Sequence, residues 1–358
     1  MEKKNINLSY PIITEAVFEE ISQFISAMHP AVSKIYILVD ENTHMHCVAP
    51  LVRNINLLEN AEILEIDAGE EQKNIEIVNR LWQVLADNNV DRQALIINLG
   101  GGVISDMGGF MASIYKRGIR FINIPTSLLA MVDASIGGKT GVDFGTVKNQ
   151  LGCFSNPEAV FIWPEFLKTL PKEELLSGFG EIVKYALIND LQFWNIIRNL
   201  EFTEIEDFDE FIFESIEIKS NIVAADPKEQ GLRKVLNFGH TYGHAFESLS
   251  MMHSGNTKLS HGKAIALGII CDLWHSVQKS TFPESVFIEI KDYIFKNFGS
   301  FSIQDNQIGQ LLDLMKKDKK NSDNKIATIL LESIGNPIAD KHICEEEVYN
   351  CLKYFQNL

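Results

Sequence analysis

Five short apolar runs govern what the first half of this chain can become. They are Lys34 to Asp40 (KIYILVD), Ala61 to Asp67 (AEILEID), Ala94 to Gly100 (ALIINLG), Phe121 to Pro125 (FINIP) and Ala159 to Trp163 (AVFIW). Runs this short, apolar nearly throughout rather than at alternate positions, suit strands buried on both faces. Between the second and third lies Ile75 to Asn89, whose apolar residues recur at helical spacing. The alternation predicts a parallel α/β sheet covered by helices over residues 1–170. Beyond Pro171 strand signals nearly vanish. Helical patterns run on to Tyr354, with room for one short hairpin near Lys325 to Leu331, so residues 171–358 are expected to form an α-helical domain.

The second half is organised around Gly231 to Glu247, GLRKVLNFGHTYGHAFE. Leu232, Val235, Leu236, Phe238 and Phe246 recur as on a helix, and the segment holds no proline. At helical pitch Arg233, Asn237, His240 and His244 fall within about 60° of one another. That is a narrow polar stripe on an otherwise apolar helix. A solvated face in an acidic protein would be rich in Glu and Lys; Arg, Asn and two His suit an internal site for a metal and an anion. Two interior glycines, Gly239 and Gly243, cost a helix about 1 kcal/mol each, which implies that a neighbour approaches closely there. His240 and His244 share the i, i+4 spacing of a zinc peptidase motif, but Thr241 stands where that chemistry needs a glutamate base.

Composition narrows the function classes. The formal net charge of −16 argues against a nucleic-acid partner, whose phosphates demand a basic surface, and makes local clusters of Lys, Arg and His conspicuous. No run of 18 apolar residues is present, so no membrane span is expected. The N-terminus lacks a signal-peptide core. Five cysteines without a C-x-x-C pair read as reduced thiols in a cytoplasmic protein.

Several segments carry candidate anion-binding chemistry. Gly100 to Asp106, GGGVISD, follows a strand and opens a helix; it is either a tight turn or a phosphate cradle built from backbone N–H groups. Asp40 and Asn42 follow the first strand, where a ribose hydroxyl can be read. Glu70 and Lys73 follow the second, where ribose or adenine can be bound. Tyr115 to Asn149 is dense in polar residues. Its GGKT is not a P-loop, because Asp133 stands where that motif needs glycine. Asp133, Lys139, Lys148 and Asn149 either line a solvated loop or surround a hydroxylated, phosphorylated ligand. In the helical half, Glu181 and Lys184 sit at i, i+3 on an apolar helix. Either Glu181 and Lys184 form a local salt bridge and His261 is a cap or core residue, or Glu181 joins His240 and His261 around zinc. Lys319 and Lys320 lie in a charged turn.

In order, GGGVxxD, YKRG, VDxSxGGKT, KN, GExxKY, GLRxxLNFGHTxGHAxE, HGxA and a DKK turn run from about Asp40 to about Lys320. In these motifs the chain resembles the 3-dehydroquinate synthases of the sugar phosphate cyclase superfamily. The resemblance implies a Rossmann-like NAD-binding domain followed by an all-α metal- and substrate-binding domain, with a divalent metal, zinc or cobalt, held between them. It implies Glu181, His240 and His261 as metal ligands, and moves His244 to the substrate phosphate. Arg233, Asn237 and Lys219 would hold the substrate carboxylate. Lys139, Asn149, His244 and Lys319 or Lys320 would bind phosphate, and Arg117 would reach it from the other subunit of a homodimer. Asp133 and Lys184 would address ring hydroxyls. Asp106, Lys139, Lys148, Thr126 and Ser127 would join Gly101, Gly102 and Val103 in holding NAD.

The implied reaction takes a phosphorylated sugar acid, 3-deoxy-D-arabino-heptulosonate 7-phosphate, to 3-dehydroquinate and phosphate. It proceeds by transient oxidation, phosphate elimination, re-reduction and aldol closure. Two cofactor-side positions depart from the pattern: Ser105 replaces a usual glycine and Ser127 a usual threonine. The alternatives are another sugar phosphate cyclase and an NAD- and metal-dependent polyol dehydrogenase. Neither has use for the carboxylate clamp of Arg233, Asn237 and Lys219.

Overall fold

The computed structural model describes residues 8–145, 147–252, 258–316 and 325–358. The first half runs β1 (Ile12–Ile13), α1 (Val17–Ala27), β2 (Ile35–Asp40), the single turn α2 (Glu41–Thr43), α3 (Ala49–Asn54), β3 (Glu62–Ile66), α4 (Ile75–Asp87) and β4 (Leu95–Gly100). It continues with α5 (Gly102–Ile114), β5 (Arg120–Pro125), β6 (Lys139–Phe144), β7 (Val147–Phe154) and β8 (Val160–Phe161). The second half holds α6 (Lys172–Asn189), α7 (Leu191–Ile197), α8 (Asp209–Ala225), α9 (His240–Met252), α10 (His261–Lys279), α11 (Glu284–Phe298) and α12 (Asp305–Lys316). A hairpin, β9 (Ile326–Leu331) and β10 (Pro337–Ile343), and α13 (Glu345–Gln356) close the chain.

The chain divides into two compact units. Met1–Pro171 with Ile212–Ala224 form one, and Lys172–Phe211 with Ala225–Leu358 the other. In the first, six strands make a parallel sheet in the order β1-β8-β5-β4-β2-β3. All five expected strands are in it. Their apolar runs are continuous because both faces are covered: Tyr36, Leu38 and Ile96 pack with Val78, Leu81, Ile104, Met107 and Met111 from α4 and α5. On α1, Phe24 meets Phe161 and Phe18 meets Trp163 edge-on.

Three expectations change. Lys139, Lys148 and Asn149, for which a solvated loop is one reading, fall within the antiparallel β6–β7 ribbon, which pairs from Lys139 opposite Phe154 to Phe144 opposite Val147 with a register shift between Val142 and Phe144. Most of α8 belongs to the first unit although it lies well past residue 170. The short hairpin expected near Lys325 to Leu331 is present, with β9 pairing antiparallel with β10. Finally, Gly231 to Glu247 is not one helix. A 3-10 turn, Leu232–Asn237, precedes α9, and Gly239 separates them at φ 78°. Gly239 is a break, so it carries none of the interior-glycine penalty. The shared phase of the four polar residues in the sequence does not describe one helical face.

Candidate active site

The glycine segment opens the site in the first unit. Gly101 caps α5 and Thr126 N–H donates to the Gly100 carbonyl at 3.0 Å. A Cβ on Gly101 would come within 3.2 Å of the Ser127 hydroxyl. The first turn of α5, with Gly102 and Val103, therefore presents backbone rather than side chain, as an anion cradle requires. Buried Lys73 reaches Asp106 on the next turn of α5 at 2.6 Å. Burial opposes the Lys73 charge, but Asp106 and Glu70 raise its pKa overall. Burial raises the Asp106 pKa in spite of Lys73. Lys148 lies 3.3 Å from Glu70. Asp40 spends one oxygen capping α2 through the Thr43 N–H at 2.8 Å, and Asn42 is exposed. Ser105 is buried, and its hydroxyl finds no partner among the described residues.

Asp133 sits in a π-helical turn, Ala130–Ala134. Two buried asparagines on the central strands anchor it: Asn98 donates to Asn123, which donates to the Ser135 carbonyl. Lys219, carried in by α8, donates to both the Asp133 carboxylate at 2.7 Å and its carbonyl at 2.5 Å. Lys219 thus belongs to a different unit from Arg233 and Asn237. Lys139 is exposed at the open end of the ribbon. Asn149 lies near its turn, with φ 52° and its N–H on Asp143 at 2.6 Å. Arg117 is exposed on a turn where Lys116 and Arg117 both take positive φ, 50° and 66°. Lys319 and Lys320 lie outside the described residues.

In the second unit Asp226 organises the approach to Arg233. Its carboxylate accepts the N–H groups of Gln230, Gly231 and Arg233 at 2.7–3.1 Å, and those backbone bonds hold its pKa below the usual range. Arg233 is buried and donates to the Pro227 carbonyl at 2.7 Å. Asn237 donates to the Glu229 carboxylate, also at 2.7 Å. Asn237 is therefore already engaged with a carboxylate.

Glu181 is fully buried on α6 and pairs with equally buried Lys184. Its Oε1 lies 3.7 Å from His240 Nε2 and 3.5 Å from His261 Nε2. These separations are long for hydrogen bonds. They match the roughly 3.4 Å between neighbouring ligands of a tetrahedral ion with bonds near 2.1 Å. His244 completes a cluster in which one nitrogen from each of the three histidines lies within 4.8 Å of the others. Burial disfavours a charged ring at His261, yet Glu181 and Glu247 outweigh it and push its pKa up to about 10. A divalent cation satisfies the same carboxylates while leaving the ring neutral, so the donor set fits a metal.

Known proteins decide the family. Residues 63–177 match the 3-dehydroquinate synthase N-terminal family and residues 178–321 the 3-dehydroquinate synthase C-terminal family. A 3-dehydroquinate synthase of Parabacteroides distasonis is 37% identical over 96% of this chain and 97% of its own. The chain belongs to the 3-dehydroquinate synthase family. Two solved sugar phosphate cyclases share its fold. One is 2-epi-5-epi-valiolone synthase from Streptomyces hygroscopicus with NAD+ and Zn2+, at TM-score 0.84, 21% identity and coverage of 98% of this chain and 97% of that one. The other is 2-deoxy-scyllo-inosose synthase complexed with carbaglucose-6-phosphate, NAD+ and Co2+, at TM-score 0.83, 22% identity and coverage of 97% and 96%.

For a 3-dehydroquinate synthase the helix contacts explain otherwise costly glycines. A Cβ on Gly180 would collide with the Gly262 backbone, and one on Gly262 with the Ser177 carbonyl. One on Gly268 would strike the Gly239 carbonyl. Each glycine lets α10 lie against α6 or α9 at backbone distance, which sets Glu181, His240 and His261 face to face. Sequence reading missed two buried carboxylates beside this group. Glu247 on α9 lies 3.4 Å from His261 Nδ1. Asp272 on α10 accepts the Gly239 N–H at 2.7 Å. Asp272 had a signal, a lone acid inside the apolar run LGIICDLW. Glu247 had one too, as the last residue of the GHAxE motif.

Proposed function

We propose that this chain converts 3-deoxy-D-arabino-heptulosonate 7-phosphate to 3-dehydroquinate and phosphate with bound NAD and a divalent metal, zinc or cobalt. The observation that carries the reading is the buried Glu181 facing His240 and His261 at ligand-to-ligand spacing, in the same unit as Arg233 and Asn237. Glu181, His240 and His261 hold the metal. The Gly101–Gly102 turn, Val103, Asp106, Thr126, Ser127, Lys73, Glu70, Lys148, Asp40 and Asn42 hold NAD. When bound, metal and nicotinamide supply a reversible oxidation of one secondary alcohol, which acidifies the adjacent C–H so that phosphate can leave.

The chain's own part is chiefly positioning. Arg233, Asn237 and Lys219 fix the substrate carboxylate. Lys139, Asn149, His244 and Lys319 or Lys320 hold the phosphate. Asp133 and Lys184 orient the hydroxyls. Arg117 serves the neighbouring subunit of a homodimer, a role supported by its strained, exposed turn, since such backbone is usually retained for function. The five free cysteines support a reduced, cytoplasmic setting.

The test is turnover by purified protein, following phosphate and dehydroquinate together with NAD present. Stoichiometric release of both, abolished by a chelator, restored by zinc and without net NADH, is the expected result. Turnover only of a phosphate lacking the carboxylate would assign another cyclase activity, and NADH accumulating from a simple polyol would make the protein a dehydrogenase.

A further inference from the structure

One peptide group in the second unit is held at both ends. Its carbonyl, Phe238 O, faces His240 Nδ1 at 3.1 Å. A carbonyl only accepts, so Nδ1 carries the proton and Nε2 is the nitrogen turned toward Glu181 Oε1. The N–H of the same peptide belongs to Gly239 and donates to Asp272 Oδ2 at 2.7 Å. The other Asp272 oxygen accepts from Thr328 Oγ1 of β9 at 2.8 Å. Asp272 is completely buried on α10, the helix that His261 begins.

We infer that Asp272 is a positioning residue for His240, acting through the Phe238–Gly239 peptide to fix the imidazole tautomer and orientation that metal binding needs. Three observations converge on it. A buried carboxylate is costly and is retained where it has strong partners, and here both oxygens are engaged. A carboxylate on the N–H polarises the peptide and makes its carbonyl a better acceptor for Nδ1–H. The peptide also sits at the break between the turn bearing Arg233 and Asn237 and the helix bearing His240. There the positive φ of Gly239 aims its N–H at α10. Partners that hold the second nitrogen of a ligand histidine commonly change metal affinity about 10- to 100-fold. Asp272 lies one step further out and reaches the ring through a backbone group.

This inference rests on the metal reading above, and the experiment separates the two. Zinc affinity is measured by chelator competition above pH 7, where Asp272, its pKa pushed up to about 7 by burial, is ionised, for wild type and for Asp272→Asn, which keeps the shape but loses the charge. Both proteins are also loaded with Co2+ and their visible spectra recorded. The expected result is zinc binding about tenfold weaker and shifted cobalt bands in a variant whose circular dichroism is unchanged. A folded Asp272→Asn with wild-type affinity and wild-type cobalt bands would overturn the inference while leaving the metal site standing. Wild type that binds no zinc removes the metal reading and this inference together. Should the variant not fold, wild type alone decides. Nitrogen-15 NMR of the zinc-loaded protein must show the His240 proton on Nδ1, and a proton on Nε2 would refute the inference.

Discussion

Lys73 and Asp106 show what a single buried contact does in the first unit. Asp106 also feels the charges of Glu70 and Asp133, and Lys73 is the cation paired directly with it beside the glycine turn. Breaking a buried pair on one side typically costs about 3–5 kcal/mol. Lys73→Met is expected to lower unfolding stability by about 3 kcal/mol and to weaken NAD binding. Lys73→Met with Asp106→Leu should recover most of the stability but not the NAD affinity. Urea unfolding and NAD titration of both variants check this. His261 makes a second prediction, about pH. In metal-free protein its pKa is raised from 6.5 to about 10. The stabilisation it provides is therefore fully present below about pH 6.5 and is lost as pH rises toward 10. The melting temperature of chelator-treated wild type should fall over that window relative to His261→Asn, and in zinc-loaded wild type that fall should disappear.

Helix contact is the decisive feature at the scale of elements. At Gly262 the α10 backbone meets α6, with its N–H on Ser177 Oγ at 3.1 Å. Gly262→Ala drives a methyl group into the Ser177 carbonyl. Overpacking of this kind costs about 1–3 kcal/mol or more, and it pushes Glu181 away from His261. The variant should fold with reduced stability and bind zinc at least tenfold more weakly, as differential scanning calorimetry and zinc titration would show. The sheet was legible in the sequence because strands covered on both faces leave continuous apolar runs. The ribbon was not legible: Lys139 to Phe154 mixes charge, glycine and isolated apolar residues, and its pairing depends on α5 lying beneath it. The break at Gly239 was masked because Arg233, Asn237, His240 and His244 keep helical phase by spacing alone. A glycine directly after Leu232–Phe238 is nonetheless an ordinary stop signal. The residues proposed for the metal and the carboxylate clamp were singled out through motif resemblance. Asp272 and Glu247 act behind other side chains, and no motif displays that.

At the scale of the whole molecule, no helix among the described residues is long and apolar enough to cross a membrane. Of the residues proposed for function, Lys219 and Asp133 belong to one unit, and Glu181, Arg233 and the histidines to the other. The return of Ile212–Ala224 to the first unit has a consequence for synthesis. A ribosome delivers the chain from its N-terminus, and domains generally fold as they emerge. Here the first unit stays incomplete after Pro171 has left the exit tunnel, because its last helix, with Lys219, follows Lys172–Phe211 of the other unit. The nascent chain must therefore wait, with the Lys219–Asp133 contact unmade, while a piece of a second body is already present. Splitting the gene at residue 171 would consequently strand a helix on the wrong fragment.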